Sequence, residues 1–308
     1  MSEFIYGIDI GGTTIKIGLF SKLGTLINKW EINTNTTNFG KNILNDIATF
    51  IKSNEVPLEK VIGYGFGVPG PVIDTTVLNC VNLGWNQVDI KKELSTVLQN
   101  ENIFVANDAN AAALGETKNG ASKGFKDSVM ITLGTGVGSG VIIDNKIITG
   151  SNGAAGELGH IKLIHDNGLP CGCGNNGCLE TVASATGLKN ITCHLLNDSK
   201  KISTLKCSKE LNAKMIFEAA NNMDELAITA IDRFTYYIAT AIQIITVSVN
   251  PEIVVIGGGV SKAGEPLLNK IINHFKNIGF SSVKDTKIVL AKLGNDAGIY
   301  GAAGMVKV

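Results

Sequence analysis

Residues 4–20 read FIYGIDIGGTTIKIGLF. Two apolar, β-branched runs flank residues 11–14, and the stretch therefore predicts a strand, a tight turn and a second strand. The arrangement recurs at residues 129–148, where the glycine-rich segment 134–140 separates two further apolar runs. Similarity at so long a period predicts two related lobes, because the repeats of solenoid proteins run about 20 to 50 residues.

The remainder of the chain alternates predicted strands and helices. Apolar runs predict strands at residues 61–68, 103–106, 253–256 and 288–291, and helical spacing predicts helices at 43–51, 109–118, 224–249 and from 296 onward. This alternation favours α/β layers around buried sheets. We expect an N-terminal lobe at residues 1–115, joined by the C-terminal helix 295–308, and a C-terminal lobe at residues 116–294. Because no linker or low-complexity segment is present, we expect the boundary to be a hinge between packed lobes.

Composition narrows the class of protein. The 308 residues contain 44% hydrophobic residues and 36 glycines, enough for two ordinary cores. Lys+Arg and Asp+Glu both number 27, so no basic field favours a nucleic-acid partner. No uncharged apolar run reaches the roughly 20 residues that span a bilayer, and the first residues lack a signal-peptide pattern. We therefore expect a cytoplasmic protein without a membrane partner.

The glycine-rich turns are candidate phosphate-binding sites. Glycines let several backbone N–H groups point at one spot, and such concavities bind phosphate oxygens. No GxxxxGK[ST] segment occurs, so neither turn is a Walker loop. An ordinary hairpin is the alternative for one such turn, but a third glycine run at 257–259 also follows a predicted strand. Together they predict that separate turns hold different phosphates of one nucleotide.

Two aspartates stand where chemistry is expected. Asp9 lies inside an apolar strand, where an unpaired carboxylate is costly. It either caps a neighbouring turn or faces Mg²⁺, for which carboxylate oxygens are suitable ligands. Asp108 lies where a predicted strand ends and a predicted helix begins. Either Asn107 or Asp108 could cap the helix at this position. The same position also suits a catalytic residue. A kinase needs a carboxylate there to accept the proton of the acceptor hydroxyl.

A cysteine cluster predicts a metal site. Cys171, Cys173 and Cys178 have the spacing C-x-C-x₄-C, and with one histidine they would form a closed Cys₃His site of the structural zinc type. We favour His160 over His165 as the fourth ligand, although spacing alone does not separate them. Once one ring nitrogen binds zinc, the other is free to hydrogen-bond outward.

Other residues near the cluster, and the remaining cysteines, have different expectations. Glu157 and Glu180 flank the cluster, and carboxylates are natural partners of sugar hydroxyl pairs. Their alternative is solvated loop charge, the commoner fate of glutamates. Cys80, Cys193 and Cys207 belong to no motif, and we interpret them as core thiols.

These residues together resemble the ROK family (repressor, open reading frame, kinase), and most closely its bacterial glucokinase branch. The matching motifs extend over nearly the whole chain: DIGGTT at 9–14, GVPGP at 67–71, NLGW at 82–85, NDANAA at 107–112, LGTGVG at 133–138, ELGH at 157–160, CGCGNNGCLE at 171–180 and NDAG at 295–298.

The resemblance implies a two-lobed, actin-like and hexokinase-like (RNase H-like) ATPase fold with a cleft between the lobes. It implies an ATP-dependent kinase that phosphorylates the 6-hydroxyl of glucose, with Mg²⁺, a structural zinc ion and Asp108 as general base. Sugar-binding residues are then Gly70, Asn82, Asn107, Asp108, Glu157, His160 and Glu180, and the zinc ligands are His160, Cys171, Cys173 and Cys178. Nucleotide contacts are assigned to Asp9, Gly11, Gly12, Thr13, Thr14, Lys16, Thr135, Gly136, Gly257 and Gly258.

Three alternatives remain at the sequence level. The acceptor sugar could be fructose, mannose, allose or an N-acetylhexosamine, because the same residues would bind their hydroxyls. A sugar-responsive repressor would carry a DNA-binding domain ahead of the first turn, and that turn begins by residue 11. A zinc hydrolase needs an open coordination position, which a Cys₃His site lacks. We also expect a homodimer, the commonest soluble oligomer.

Overall fold

The computed structural model describes residues 3–198 and 202–307 of the chain. The strands are β1 Phe4–Ile10, β2 Thr14–Ser21, β3 Leu26–Asn33, β4 Val61–Val68, β5 Val72–Ile73, β6 Thr76–Cys80, β7 Trp85–Asp89, β8 Ile103–Asn107, β9 Ser128–Leu133, β10 Val137–Ile143, β11 Lys146–Ile147, β12 Ile253–Gly257 and β13 Lys287–Leu290. The helices are α1 Thr37–Gly40, α2 Ile43–Ser53, α3 Ile90–Leu98, α4 Asp108–Asn119, α5 Glu180–Ala183, α6 Ala185–Asp198, α7 Ala213–Asn221, α8 Glu225–Val249, α9 Glu265–Ile278 and α10 Ala297–Met305.

The first sheet places the predicted chemistry at one edge. Its order is β3-β2-β1-β4-β8, with β1 and β2 antiparallel and with β4 parallel to both β1 and β8. The register pairs Asp9 with Gly67 and pairs Val68 with Asn107. Because the carboxyl ends of parallel strands share one sheet edge, Asp9 and the start of α4 lie at the same edge.

A second sheet has the order β11-β10-β9-β12-β13, and a third, antiparallel sheet consists of β5, β6 and β7. The predicted turn at 134–140 is shorter than expected, because β10 already begins at Val137. The prediction treated the alternating glycines as a loop, yet Gly138 and Gly140 lie within a regular strand whose neighbours are largely buried. The other predicted strands and helices agree with the structure to within a few residues.

The chain forms two compact units. The first contains residues 1–128, 140–156 and 292–308, and the second contains 129–139 and 157–291. The expected boundary at 115/116 lies inside α4, and the whole of this helix belongs to the first unit. Residues 140–156 belong to the first unit because Gly140 packs against Ala113 and Gly153 packs against the backbone of Val72.

The cysteines outside the predicted metal cluster differ from one another. Cys80 is a buried free thiol in the core, as predicted. The prediction was wrong for Cys193 and Cys207, which form a disulfide. Cys193 is half-buried on α6 and Cys207 is exposed in the segment before α7, so neither is a core residue. Their Cα atoms lie 5.0 Å apart. No local sequence motif predicts that these two cysteines are close to each other.

Among the helices of the described ranges, none combines the length and the apolar character needed to cross a membrane.

Candidate active site

The first glycine-rich turn is a compact hairpin connection. The N–H of Gly11 donates to the carbonyl of Thr14 at 2.9 Å, and the hydroxyl of Thr34 donates to the carbonyl of Gly11 at 2.7 Å. Gly12 and Thr13 at the tip of the turn are exposed. The turn is therefore braced from the end of β3 while its tip remains open to a ligand.

Lys16 and Asp9 lie opposite each other on the two strands beside this turn. The Nζ atom of Lys16 donates to the carbonyl of Asn295 at 2.8 Å. The Asp9 carboxylate lies against the α-carbons of Gly67 and Gly298, where a Cβ at position 298 would be 2.4 Å from Asp9 Oδ2. Position 298 therefore tolerates only glycine next to this carboxylate.

The environment of Asp9 disfavours its ionised form. The pKa of Asp9 is raised to about 7, mainly by burial and also by the negative charge of Asp108, while Lys16 opposes both effects. Two acids whose charges interact at a sheet edge suit a divalent cation, because a cation removes their mutual repulsion. The residues present therefore fit the predicted Mg²⁺ site.

Asn107 and Asp108 occupy the junction between β8 and α4. The Asn107 side chain accepts hydrogen bonds from the N–H groups of Ala109 and Asn110, which makes it the N-cap of the helix. Its Nδ2 donates to the carbonyl of Gly70 at 3.2 Å. Asp108 is the first residue of α4 and is half-buried. Asn107 is thus the N-cap, and Asp108 Oδ1 also accepts a hydrogen bond from the N–H of Ala109 at 2.8 Å.

Gly70 and Asn82 lie near this junction in the same unit. Gly70 has a φ of 95°, and a Cβ there would be 2.4 Å from the carbonyl oxygen of Asn79, so only glycine fits. Asn82 is exposed, and its Cβ would be 3.6 Å from a Cβ placed on Gly12. Asn82 therefore lies beside the first turn, while Gly70 contacts Asn107.

The second glycine-rich turn is tied to helices of its own unit. The N–H of Gly134 donates to the carbonyl of Gly136 at 3.0 Å, which resembles the backbone bond that closes the first turn. The hydroxyl of Thr186 donates to the carbonyl of Thr135 at 3.0 Å. A Cβ on Gly136 would be 2.6 Å from Glu180 Oε2, so the glutamate carboxylate lies directly against this turn.

The segment that carries Glu157 and His160 is held against β10. The N–H of Leu158 donates to the hydroxyl of Ser139 at 3.1 Å, and the backbone of Gly159 approaches the carbonyl of Val137 too closely for a side chain. Burial raises the pKa of Glu157; the charge of His160 opposes that effect and the charge of Glu180 adds to it. Sequence reasoning missed Ser139, whose only signal was a hydroxyl within a glycine-rich strand.

Four predicted metal ligands come together in this unit. Suitable ligand atoms of His160, Cys171, Cys173 and Cys178 all lie within 4.8 Å of one another. Two close pairs are Cys171 Sγ with His160 Nδ1 at 3.5 Å and Cys173 Sγ with Cys178 Sγ at 3.6 Å. Tetrahedral bonds of about 2.3 Å to sulfur place two sulfurs about 3.8 Å apart, so the cluster fits zinc.

The cluster also separates the two candidate histidines. His160 lies in it, and His165 is outside it. A backbone hydrogen bond from Asn175 lowers the pKa of Cys173 to about 7, which favours a thiolate. Glu180 Oε1 lies 2.8 Å from Cys171 Sγ and 4.0 Å from His160 Nδ1. The cluster therefore lies directly beside the carboxylate of Glu180 and includes the ring of His160.

The third glycine run lies at the end of β12. Gly257 is buried, whereas Gly258 is exposed with a φ of 84°. A Cβ on Gly258 would be 2.5 Å from the backbone of Leu133, the residue before the second turn. The run is thus adjacent to the second turn within the same unit, as a shared nucleotide site would require.

Comparisons with known proteins support these observations. The sequence model of the ROK family matches residues 5–308. A glucokinase of Halalkalibacterium halodurans is 42% identical, with 100% of this chain and 96% of that protein aligned. A glucokinase of Thermotoga maritima is 36% identical, with 98% and 97% aligned.

Solved structures show the same likeness. The ROK family glucokinase of Streptomyces griseus, in complex with glucose and AMPPNP, superposes with a TM-score of 0.78 at 32% identity over 98% of this chain and 99% of that one. The prediction of an α/β fold of the actin-like sugar-kinase type is confirmed. With its family motifs, its fold and its full-length relatives in agreement, this chain belongs to the ROK family.

Proposed function

We propose that this protein is an ATP-dependent glucokinase that transfers the γ-phosphoryl group of ATP to the 6-hydroxyl of glucose. The observation that carries the proposal is the junction of β8 and α4, where Asn107 caps the helix and the half-buried Asp108 begins it, at the sheet edge that also carries Asp9. The glucokinases named above, which align over their whole length, support the choice of reaction and sugar.

Asp108 acts as the general base. Its carboxylate accepts the proton of the 6-hydroxyl while the O6–phosphorus bond forms and the bond from the γ-phosphorus to ADP breaks. Phosphoryl transfer needs little covalent help from the protein, so most of the rate comes from positioning and electrostatics. The base is well placed for this work because Asn107 fixes the first turn of α4 on which it stands.

The nucleotide phosphates are assigned to the glycine-rich turns. Residues 11–14 and Lys16 bind phosphate oxygens in the first unit, and Thr135, Gly136, Gly257 and Gly258 contact the nucleotide in the second. Asp9, at the edge of the first sheet, would hold Mg²⁺ directly or through water. When bound, Mg²⁺ neutralises charge on the terminal phosphates.

The sugar hydroxyls are assigned to the residues that the family motifs indicate. Glu157, Glu180 and the outward Nε2 of His160 orient the ring, and Gly70, Asn82 and Asn107 complete the set. We assign zinc to the Cys₃His cluster as a structural ion, because all four ligands come from protein and no position stays open for water. Its role is to fix His160 and Glu180. A cytoplasmic location and a homodimer stay predictions.

Another hexose remains the alternative acceptor, since the same carboxylates would bind its hydroxyls. The experiment is to incubate the protein with MgATP and glucose and to follow the products by ³¹P NMR. We expect glucose 6-phosphate and ADP in equal amounts. Hydrolysis of ATP to free phosphate without a phosphorylated sugar, or phosphate on another hydroxyl, would refute the proposal.

A further inference from the structure

A second acid of α4 is unlike the first. The side chain of Glu116 is fully buried, with 0% of the residue exposed. Its oxygens accept hydrogen bonds from three backbone N–H groups: Ala121 at 2.6 Å, Lys292 at 3.0 Å and Leu293 at 2.7 Å. Burial of a carboxylate is costly without such partners. The buried carboxylate therefore ties α4 to a segment far away in sequence.

The tied segment leads directly to the proposed nucleotide residues. Two residues after Leu293, the carbonyl of Asn295 accepts the hydrogen bond from Lys16 Nζ. Further along, Gly298 in the first turn of α10 lies against the carboxylate of Asp9. The backbone that Glu116 holds thus continues into the backbone that contacts Lys16 and Asp9.

The same helix turn holds a second segment. The hydroxyl of Thr117, which follows Glu116, lies 3.0 Å from the hydroxyl of Ser128 and 3.3 Å from that of Ser122, and all three residues are buried. The first unit contains residues 1–128 and 292–308, so Ser128 and Lys292 lie where the chain leaves this unit and where it finally returns to it. Two adjacent residues of α4 therefore anchor both of these ends.

Helices α4 and α10 pack too closely to move independently. A Cβ on Gly115 would be 2.2 Å from the carbonyl oxygen of Ala297, and Gly301 meets the carbonyl of Ala111 just as closely. Interiors packed at this density transmit displacement instead of absorbing it. A change in how Glu116 holds residues 292–293 therefore reaches both α10 and the first turn of α4, which carries Asp108.

We propose that Glu116 is a positioning residue for phosphoryl transfer: it keeps the contacts of Lys16 and Asp9 in register with Asp108. This inference rests on the proposed function for the roles of those three residues. Glu116 itself touches neither substrate, and its effect is expected on nucleotide binding and on turnover. Glucose binding is expected to change little, because Glu157, His160 and Glu180 belong to the second unit and Asn107 has its own hydrogen bonds to Ala109 and Asn110.

The test compares Glu116→Gln and Glu116→Asp with Glu93→Gln, which changes an exposed glutamate of α3. Glutamine has the same size but replaces one acceptor oxygen with a donor, and aspartate keeps the charge but shortens the reach. We expect folded variants whose kcat falls and whose Kd for AMPPNP rises, each by about tenfold, because a misplacement of 1 Å is costly in catalysis. The KM for glucose should stay within about twofold of wild type.

A purely structural role would lower the melting temperature and leave kcat per folded molecule and the AMPPNP affinity unchanged, and that result overturns the proposal. AMPPNP binding is measured by calorimetry without turnover, so it separates this inference from the proposed function, which fails only if the wild type does not phosphorylate glucose. If neither variant folds, hydrogen exchange of the wild type decides. Unprotected amides at Ala121, Lys292 and Leu293 would also overturn the proposal.

Discussion

The acids of the first unit and those of the second unit have different surroundings. Asp9 and Asp108 lie at one edge of a sheet, and the charge of Asp108 helps to raise the pKa of Asp9. Glu180 Oε1 lies 2.8 Å from Cys171 Sγ, and the charge of His160 acts on Glu157. In the first pair, the charge of one carboxylate affects the protonation of the other. In the second pair, Glu180 lies against a thiol of the metal cluster. From this difference we expect Asp108 to control turnover and Glu157 and Glu180 to control sugar affinity.

The sharpest test of this division is Asp108→Asn. Removing a general base should lower kcat by about 10³-fold, within the range that positioned acid–base groups contribute. Glucose affinity, measured by calorimetry, should stay within a few-fold of wild type because asparagine keeps the hydrogen-bonding shape. Asp46→Asn, which changes a half-buried acid in the first turn of α2, is the matched control. A variant at position 108 with near-normal kcat would remove the proposed base.

Cys173→Ser tests whether the metal cluster of the second unit positions Glu180 for sugar binding. Loss of one zinc ligand should release zinc, loosen Glu180 and raise the KM for glucose by about tenfold, the lower end of the cost of disturbed metal sites. The KM for ATP should change much less. Steady-state kinetics and metal content by mass spectrometry provide the readouts.

The control for this substitution is Cys207→Ser, which removes a cysteine of the disulfide outside the cluster. It should leave zinc content and the KM for glucose as in wild type. If Cys173→Ser loses zinc but keeps the wild-type KM, then the metal does not support sugar binding.

A pair of alanine substitutions compares the two glycine turns directly. In Gly136→Ala the new Cβ meets the Glu180 carboxylate, whereas in Gly11→Ala it meets the backbone oxygen of Thr14 at 2.8 Å. Because Gly136 is also assigned to the nucleotide, we expect Gly136→Ala to raise the KM for ATP and, through displacement of Glu180, to raise the KM for glucose by about fivefold, equivalent to roughly 1 kcal/mol of lost binding. Gly11→Ala should raise the KM for ATP and leave the KM for glucose near wild type. Kinetics with each substrate varied in turn measure both constants, and an equal rise of the KM for glucose in both variants would contradict the comparison.

The smallest expected effect is a pH dependence of stability in the metal-free protein. Because the folded pKa of Asp9 is raised to about 7 from 3.8, the native state binds the extra proton between these values, and stability falls as pH rises through this window. Asp9→Asn removes the effect. The variant should gain on the order of 1 kcal/mol relative to wild type between pH 6 and pH 8. Denaturant unfolding of both proteins at the two pH values measures this gain. A stability difference between variant and wild type that does not change with pH would count against a raised pKa of Asp9.

Sequence predicted much of the fold because its signals are local. The apolar runs around residues 11–14 and 134–136 fix strands and turns, and the spacing of Cys171, Cys173 and Cys178 fixes a cluster within one short loop. The structure adds what depends on distant chain segments. The Cys193–Cys207 disulfide joins a helix to an exposed loop, and Glu116 binds backbone amides of residues 292 and 293. The only sequence signal for the Glu116 contact is an acid next to small apolar residues, because a buried carboxylate without hydrogen-bond partners is costly.

The most direct test of the central claim is the rate of ADP release with MgATP for a panel of glucose, fructose, mannose, allose and N-acetylglucosamine. We expect the highest kcat/KM with glucose and a much lower rate of ADP release without sugar. A higher kcat/KM for another hexose would contradict the choice of substrate. Equal ADP release with and without every sugar would contradict the assignment as a sugar kinase.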